Sequence, residues 1–271
     1  MNEVLQSKKL FIFDMDGTIY LGGRGFPFAV DFIRRLRLAG KRVLFFTNNA
    51  SHSGDFYLEK LTRLGFAPDP TEILSAGDVT IAFLRLHSPG ASVYLMGTPE
   101  LESMFRASGI DLLAPDAEKA DVVVTSFDTT LTYEKLDAAC RLIRGGAEYL
   151  CTHPDFNCPT ENGFIPDSGA IAAAVTASTG VAPRYFGKPY RDTVEMICEV
   201  TGCRKEEMCI FGDRLYTDIA LGRHHGVTAT LVLSGETTAA QHDAAEAADK
   251  ADFVYPSLAE VADDMSLPEL L

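Results

Sequence analysis

The sequence predicts an α/β protein with a doubly wound parallel sheet. Short apolar, β-branched or aromatic runs alternate with amphipathic stretches that end at glycine, the pattern of parallel strands covered by helices. The first run, Leu10 to Asp14, is apolar on both faces, as a buried parallel strand should be. A second group of elements begins near residue 78, and the first pattern returns near residue 187.

The elements of the first group follow from their apolar spacing and their end signals. Pro27 precedes an amphipathic stretch that Gly40 ends, and this predicts a helix over Phe28 to Ala39. The next apolar run predicts a strand over Val43 to Phe46, and a second helix is expected from Gly54 to Leu64.

The second group also alternates between strands and helices. Strands are expected around Val93, Val123 and Tyr149, and helices after Pro99, Thr132 and Asp167. The last part predicts a helix from Pro189, a strand (MCIFG) before Asp213, a helix ending near Gly226, and the strands TATLVL and DFVY. We therefore predict a discontinuous core over residues 1–77 and 187–271, with a smaller α/β domain inserted over residues 78–186.

Composition and charge narrow the class of protein. The chain has 271 residues, of which 46% are hydrophobic, and no apolar run long enough for a membrane-spanning helix. Its formal net charge of −14 argues against a nucleic-acid or acidic-membrane surface. The six cysteines form no C-x-x-C pair, which argues against zinc and a disulfide framework. With no signal-peptide core at the N-terminus, a cytoplasmic location is expected.

The first chemical motif comes directly after the first strand. Asp14 and Asp16 are two residues apart on an extended segment, so both can face one crevice, and Gly17 allows a sharp turn. Ligands bind at the carboxyl ends of strands in such sheets. A cation would relieve the repulsion between the two carboxylates, and Mg²⁺ suits oxygen ligands and phosphate. Taken alone, however, Asp-Gly is also a common turn pair.

Three further motifs also follow predicted strands. Thr47 and Asn48 can bond phosphate oxygens, Lys188 can neutralise a phosphate, and Asp213 can ligate a cation with support from Asp218. Singly, each has an ordinary alternative as a helix cap, a loop or a solvated side chain. Together they supply a nucleophile, an acid, phosphate donors and a metal ligand on one edge of one sheet.

These motifs, with the segment Asp14-x-Asp16-Gly17-Thr18, resemble the haloacid-dehalogenase superfamily over the whole chain. The long insert, the TNN triplet and the LVLSGET segment are similar to its subfamily IIA, which contains NagD-like, p-nitrophenyl phosphate and phosphoglycolate phosphatases. Dehalogenases of the superfamily lack the second aspartate, so Asp16 favours a phosphatase. The resemblance implies a Rossmann-like core with an inserted α/β cap that sets substrate specificity.

The resemblance also implies a role for each matching residue. Asp14 is the expected nucleophile, Asp16 the general acid and base, and the substrate a small phosphorylated metabolite. Mg²⁺ is expected on Asp14, on the backbone carbonyl of Asp16 and on Asp213, with Asp218 as a supporting group. The residues expected to hold phosphate are Thr47, Asn48, Asn49 and Lys188. In the cap, His153 and Asp155 are candidate substrate contacts, although an ordinary turn is nearly as good an interpretation of their loop.

Other functions remain open at this point. A receiver-type signalling module also combines an aspartate, a lysine and Mg²⁺ on a parallel sheet, but Asp16 and the insert have no place in it. A phosphotransferase differs only in the acceptor that the cap admits. Caps of this type often pair, so a homodimer through the caps is one option. His224 and His225 are interpreted as surface or core residues rather than ligands.

Overall fold

The chain folds around two largely parallel β-sheets, which confirms the predicted α/β class. The computed structural model describes residues 2–160 and 163–270. One unit contains the chain up to Thr47, Gly54–Leu74 and the chain from Lys188 onward, and the other contains Asn48–Ser53 and Ser75–Gly187. Whether these units act as a catalytic core and a specificity cap stays a prediction. No described helix is long and apolar enough to cross a bilayer.

The first unit is built on a six-stranded sheet. Helices and strands are numbered in chain order through both units, so the numbers α4–α7 and β6–β12 belong to the second unit. The elements of the first unit are α1 (Glu3–Ser7), β1 (Leu10–Phe13), β2 (Tyr20–Leu21), β3 (Arg24–Gly25), α2 (Pro27–Leu38), β4 (Arg42–Thr47), α3 (Gly54–Arg63), β5 (Ile73–Ser75), α8 (Arg191–Thr201), β13 (Met208–Gly212), α9 (Ala220–His225), β14 (Thr228–Val232), α10 (Ala239–Ala244), β15 (Phe253–Tyr255) and α11 (Leu258–Asp264). The strand order is β15-β14-β13-β1-β4-β5, and the strands from β15 to β4 pair in parallel.

Strand β1 lies at the centre of this sheet, between β13 and β4. All four of its residues are buried. Phe13 stacks on Phe211 of β13 with ring centroids 5.1 Å apart and meets Phe32 of α2 edge-on. Burial of such side chains contributes roughly 1.5–3 kcal/mol each. The aromatic core therefore fixes the strand whose carboxyl end carries the first predicted motif.

The second unit contains its own five-stranded parallel sheet, in the order β12-β9-β8-β6-β7. Its elements are α4 (Ala76–His87), β6 (Ser92–Met96), α5 (Pro99–Ala107), β7 (Asp111–Leu112), β8 (Val122–Thr125), α6 (Tyr133–Arg144), β9 (Glu148–Cys151), β10 (Asn157–Thr160), β11 (Gly163–Pro166), α7 (Ser168–Thr179) and β12 (Arg184–Tyr185). Strands β10 and β11 form an antiparallel hairpin. Residues 161 and 162 lie outside the described residues.

One predicted helix boundary is wrong. The helix expected from Pro189 begins at Arg191, after an extended Tyr190 with φ −79° and ψ 143°. Gly187 has a left-handed φ of 73°, so the chain changes direction before it can become helical. Pro189 therefore lies in the loop that presents Lys188 and not at the first position of a helix.

Candidate active site

The two aspartates after β1 have different environments. Asp14 continues the strand, and its N–H donates to the carbonyl of Phe211 at 2.9 Å. Asp16 is exposed and lies in a turn that closes when the N–H of Gly17 donates to the carbonyl of Tyr20 at 2.7 Å. Gly17 has a φ of 85°, a conformation that glycine adopts without penalty. The turn thus separates a largely buried carboxylate from a solvent-accessible one.

Three carboxylates converge at the end of β1 and β13. One ligand oxygen each of Asp14, Asp213 and Asp218 lies within 4.8 Å of the other two. Asp213 directly follows β13, and Asp218 lies in the π-helical turn Leu215–Ile219. A Cβ on Gly212 would overlap the Asp218 side chain, so glycine at this position permits the close approach. The predicted neighbourhood of these three aspartates is observed.

Lys188 is the cation of this cluster. It is 3% exposed, and its ammonium forms ion pairs with Asp14 and, at 2.7 Å, with Asp218. A buried ammonium must be paired because the cost of removing it from water is several kcal/mol. Lys188 is therefore held between the expected nucleophile and the expected supporting aspartate.

The cluster carries more negative than positive charge, and this shifts the acidity of its members. Burial raises the pKa of Asp14 to about 7; Lys188 opposes the shift, while Asp218 and Asp213 reinforce it. Burial, together with Asp218, also raises the pKa of Asp213 to about 6. Burial lowers the pKa of Lys188, but Asp14 and Asp218 outweigh it and raise that pKa overall. An additional cation would favour the ionised carboxylates.

The loop after β14 completes the surroundings of Asp213, and sequence reasoning did not assign it a role. The N–H of Glu236 donates to Asp213 Oδ2 at 2.7 Å. The Ser234 hydroxyl donates to the carbonyl of Gly17 at 3.0 Å. This segment also directly follows a strand of the same sheet, and that position is the signal in the sequence that places it near the other motifs.

Gly235 leaves the space that Asp213 occupies. A Cβ on Gly235 would lie 2.6 Å from Asp213 Cβ and closer still to its carboxylate. We expect Gly235→Ala to displace that carboxylate and to weaken Mg²⁺ binding about tenfold, as displacement of a ligand or its support does. Isothermal titration with Mg²⁺ measures this.

Gly23→Ala is the matched control for Gly235→Ala. Nothing lies within 4 Å of a Cβ at Gly23, and its φ is not in the left-handed region. Equal Mg²⁺ affinity of the two variants would contradict a role of Asp213 in metal binding.

The residues after β4 divide between the two units. Thr47 ends β4, the neighbour of β1, and so lies on the same sheet edge as Asp14. Asn48 belongs to the second unit, where its amide N–H donates to Asp155 Oδ2 at 3.1 Å. Asn49 Oδ1 accepts from the backbone N–H and the hydroxyl of Ser51, at 2.9 and 2.6 Å. The phosphate-binding roles of these residues stay predictions.

The loop after β9 is tied down within the second unit. His153 is fully buried; its Nδ1 lies 2.9 Å from the Thr152 hydroxyl, and its Nε2 lies 2.9 Å from Asp167 Oδ1. Asp155 is half-buried and accepts the bond from Asn48. The contact of His153 and Asp155 with substrate stays a prediction. In this structure the histidine ring supports the loop that carries Asp155.

Among the residues that the structure describes, two groups of side chains have metal-ligand spacing. His153, Asp155 and Asp167 form the second group, but their ligand atoms already have partners. His153 bonds Asp167, Asp155 accepts from Asn48, and Asp167 also accepts from the N–H of Ser168. The Asp14 group fits a divalent cation better, because it brings three carboxylates, two buried and one partly buried, to the single ammonium of Lys188. His224 bonds Asp249 and His225 donates to the carbonyl of Pro189; that they are not ligands stays a prediction.

Comparison with known proteins identifies the class. The family model described as haloacid dehalogenase-like hydrolase matches residues 11–111, and one described as HAD-hydrolase-like matches residues 185–261. An acid sugar phosphatase of Staphylococcus aureus (strain MRSA252) is 35% identical over 86% of this chain and 90% of its own length.

Solved structures agree with these matches. The 4-nitrophenylphosphatase of Thermotoga maritima is 41% identical, with a TM-score of 0.89 over 97% of this chain and 99% of its own. The p-nitrophenyl phosphatase of Archaeoglobus fulgidus is 30% identical, with a TM-score of 0.87 over 95% of this chain and 99% of its own.

The chain belongs to the haloacid-dehalogenase-like hydrolase family. The relatives confirm the predicted resemblance, the α/β fold class and the enzyme class, a phosphatase. They rule against the receiver-module alternative. Enzymes of this family are typically metal-dependent, and the Asp14 cluster offers an acidic site for a metal ion.

Proposed function

We propose that this chain is a Mg²⁺-dependent phosphatase that hydrolyses small phosphorylated metabolites through an aspartyl-phosphate on Asp14. The observation that carries the proposal is the buried cluster in which Asp14, Asp213 and Asp218 converge around Lys188. This arrangement combines an oxygen nucleophile, a cation for the phosphoryl group and carboxylates for a metal ion. The names of the relatives support phosphate monoesters as the substrate class.

In the first step, a carboxylate oxygen of Asp14 attacks the phosphorus atom in line with the leaving group. The bond from phosphorus to the leaving oxygen breaks, and that oxygen takes a proton from Asp16. Lys188 holds Asp14 through their ion pair and neutralises charge on the phosphoryl oxygens. The products of this step are the alcohol and the aspartyl-phosphate.

In the second step, Asp16 takes a proton from a water molecule whose oxygen attacks phosphorus. The bond between phosphorus and Asp14 breaks, which regenerates the carboxylate and releases inorganic phosphate. Because Asp16 is exposed, water can reach it without a rearrangement of the core. The two steps therefore need one nucleophile and one acid–base group.

Asp14, Asp213 and the backbone carbonyl of Asp16 would hold Mg²⁺, with Asp218 holding Lys188 beside them. When bound, Mg²⁺ supplies positive charge that favours the ionised carboxylates and shields the phosphate from them. The raised pKa values of Asp14 and Asp213 support this assignment, because burial and the neighbouring carboxylates disfavour the ionised forms and a bound cation would offset that effect.

We expect the purified protein to release phosphate from p-nitrophenyl phosphate and from several small metabolite phosphates with Mg²⁺ and to stop in excess EDTA. Mg²⁺ should also raise the melting temperature, since a ligand at 100 times its Kd stabilises the folded state by about 2.7 kcal/mol. Turnover that persists in EDTA after extensive dialysis would contradict the metal assignment. No turnover on any phosphate ester, by folded protein that binds Mg²⁺, would contradict the phosphatase proposal.

We further propose a cytoplasmic location and a specificity role for the second unit, with Asn48, Asn49 and Thr47 as phosphate contacts. A homodimer through the second unit and the absence of nucleic-acid and membrane partners stay predictions. Sedimentation velocity of the purified chain tests the first of these.

A further inference from the structure

Lys60 lies on the face of a tyrosine ring in the first unit. Its ammonium is 4.0 Å from the centroid of the Tyr20 ring, within the range of a cation–π interaction. Tyr20 is 3% exposed and Lys60 is half-buried on α3. Tyr57 and Leu61 of the same helix are buried, so Lys60 lies at the border between the core and the solvent.

Tyr20 in turn closes the segment that carries Asp16. The carbonyl of Tyr20 accepts from the N–H of Gly17 at 2.7 Å, and its own N–H donates to the carbonyl of Met15 at 3.3 Å. Asp16 and Tyr20 also form an isolated β-bridge. Two backbone bonds, which together form the bridge, therefore tie Tyr20 to the residues on both sides of Asp16.

The Lys60 ammonium is partly removed from water. Burial lowers the pKa of Lys60, Asp16 opposes that shift and Arg63 reinforces it. Within residues 2–160 and 163–270, no hydrogen bond or ion pair of the Lys60 ammonium is found, and its contact there is with the Tyr20 ring. The cation–π contact with Tyr20 is therefore the described interaction through which Lys60 can act on the turn.

We propose that Lys60 is a positioning residue for Asp16: its ammonium holds the Tyr20 ring, and Tyr20 holds the turn that carries Asp16. This inference rests on the proposed acid–base role of Asp16. Lys60 touches neither Asp14 nor the carboxylate cluster in any described contact, so it acts on the site through the turn that carries Asp16.

The test compares substrates that differ in their need for an acid. The leaving group of an alkyl phosphate such as glycerol phosphate is a strongly basic alkoxide that needs a proton from an acid. The leaving group of p-nitrophenyl phosphate, p-nitrophenolate, leaves with little protonation. We expect Lys60→Met to lower kcat about tenfold on glycerol phosphate and about twofold on p-nitrophenyl phosphate, with KM changed less than twofold on both. Lys60→Arg, which keeps the charge and can also stack on a ring, should restore most of the loss.

Arg63→Met is the matched control, because it removes the same charge from an exposed position on the same helix; we expect wild-type kcat on both substrates. A merely structural role of Lys60 would lower both activities equally and lower the melting temperature. Equal losses on the two substrates, or wild-type kcat in Lys60→Met, would overturn the inference. If Lys60→Met does not fold, Lys60→Gln is judged by the same criteria.

The failure of this inference is distinguishable from failure of the proposed function. A wild-type protein without turnover on either ester contradicts the phosphatase mechanism itself. An active wild-type protein whose Lys60 variants behave like Arg63→Met contradicts only the role of Lys60.

Discussion

Asp14→Asn should lower kcat for phosphate-ester hydrolysis by at least about 10³-fold, because an amide oxygen is a poor nucleophile toward phosphorus. The fold should remain intact. The ionised carboxylate of Asp14 is destabilised by burial and by Asp218 and Asp213, as its raised pKa shows, so replacing it by an amide of similar shape removes that repulsion. Single-turnover phosphate release and a thermal melt measure the two effects.

Asp31→Asn is the control for Asp14→Asn, because Asp31 is exposed on α2 of the same unit. It makes the same chemical change at an exposed position, and wild-type kcat is expected. Near-normal turnover in Asp14→Asn would show that another group attacks phosphorus. A large loss of melting temperature would show that the Asp14–Lys188 ion pair is mainly structural.

The sequence could predict which residues lie together at the site, because one rule applies to several motifs at once. Asp14, Thr47 and Asp213 each follow a buried strand, and the carboxyl ends of neighbouring parallel strands meet at one sheet edge. The structure pairs β1 with both β4 and β13, so these residues do lie at adjacent strand ends. The cluster of Asp14, Asp213 and Asp218 follows from that topology.

What the sequence could not supply are the contacts that depend on three-dimensional packing. The bond from Asn48 to Asp155 joins residues 107 positions apart, and no periodicity or spacing reports such a pair. The burial of His153 is of the same kind, since the motif Thr-His-Pro-Asp fits an exposed turn equally well. The helix start at Pro189 was misplaced because Gly187 changes the direction of the chain, which a propensity for the first helical position does not capture.

Lys188→Met should be the most destructive change outside the nucleophile. The variant keeps the length of the side chain but leaves Asp14 and Asp218 without their ammonium partner. Breaking a buried ion pair by removing one partner costs about 3–5 kcal/mol. Loss of a charge that stabilises the transition state lowers kcat by a further factor of about 10²–10³. Thermal melts and initial rates measure the two effects.

The stability loss in Lys188→Met should depend on pH with a defined sign. Without Lys188, the folded state holds protons on its carboxyls to higher pH than wild type, where the pKa of Asp14 is about 7. The unfolded chain gives these protons up near their ordinary values, so unfolding releases protons and stability falls as pH rises. The variant and the wild type should therefore differ least near about pH 4 and most at about pH 8.

Lys8→Met separates this effect from the loss of any buried lysine. Lys8 is 7% exposed in the same unit, and its ammonium donates to the carbonyl of Glu206 at 2.8 Å rather than to a carboxylate. Its removal should lower the melting temperature by a similar amount at every pH, because no buried carboxylate loses its partner. A pH-independent loss in Lys188→Met would mean that the three carboxylates are neutralised by something other than Lys188. In that case Mg²⁺ should bind the Lys188→Met variant and the wild type with equal affinity. If the cluster relies on Lys188, Mg²⁺ should instead stabilise the variant more than it stabilises the wild type.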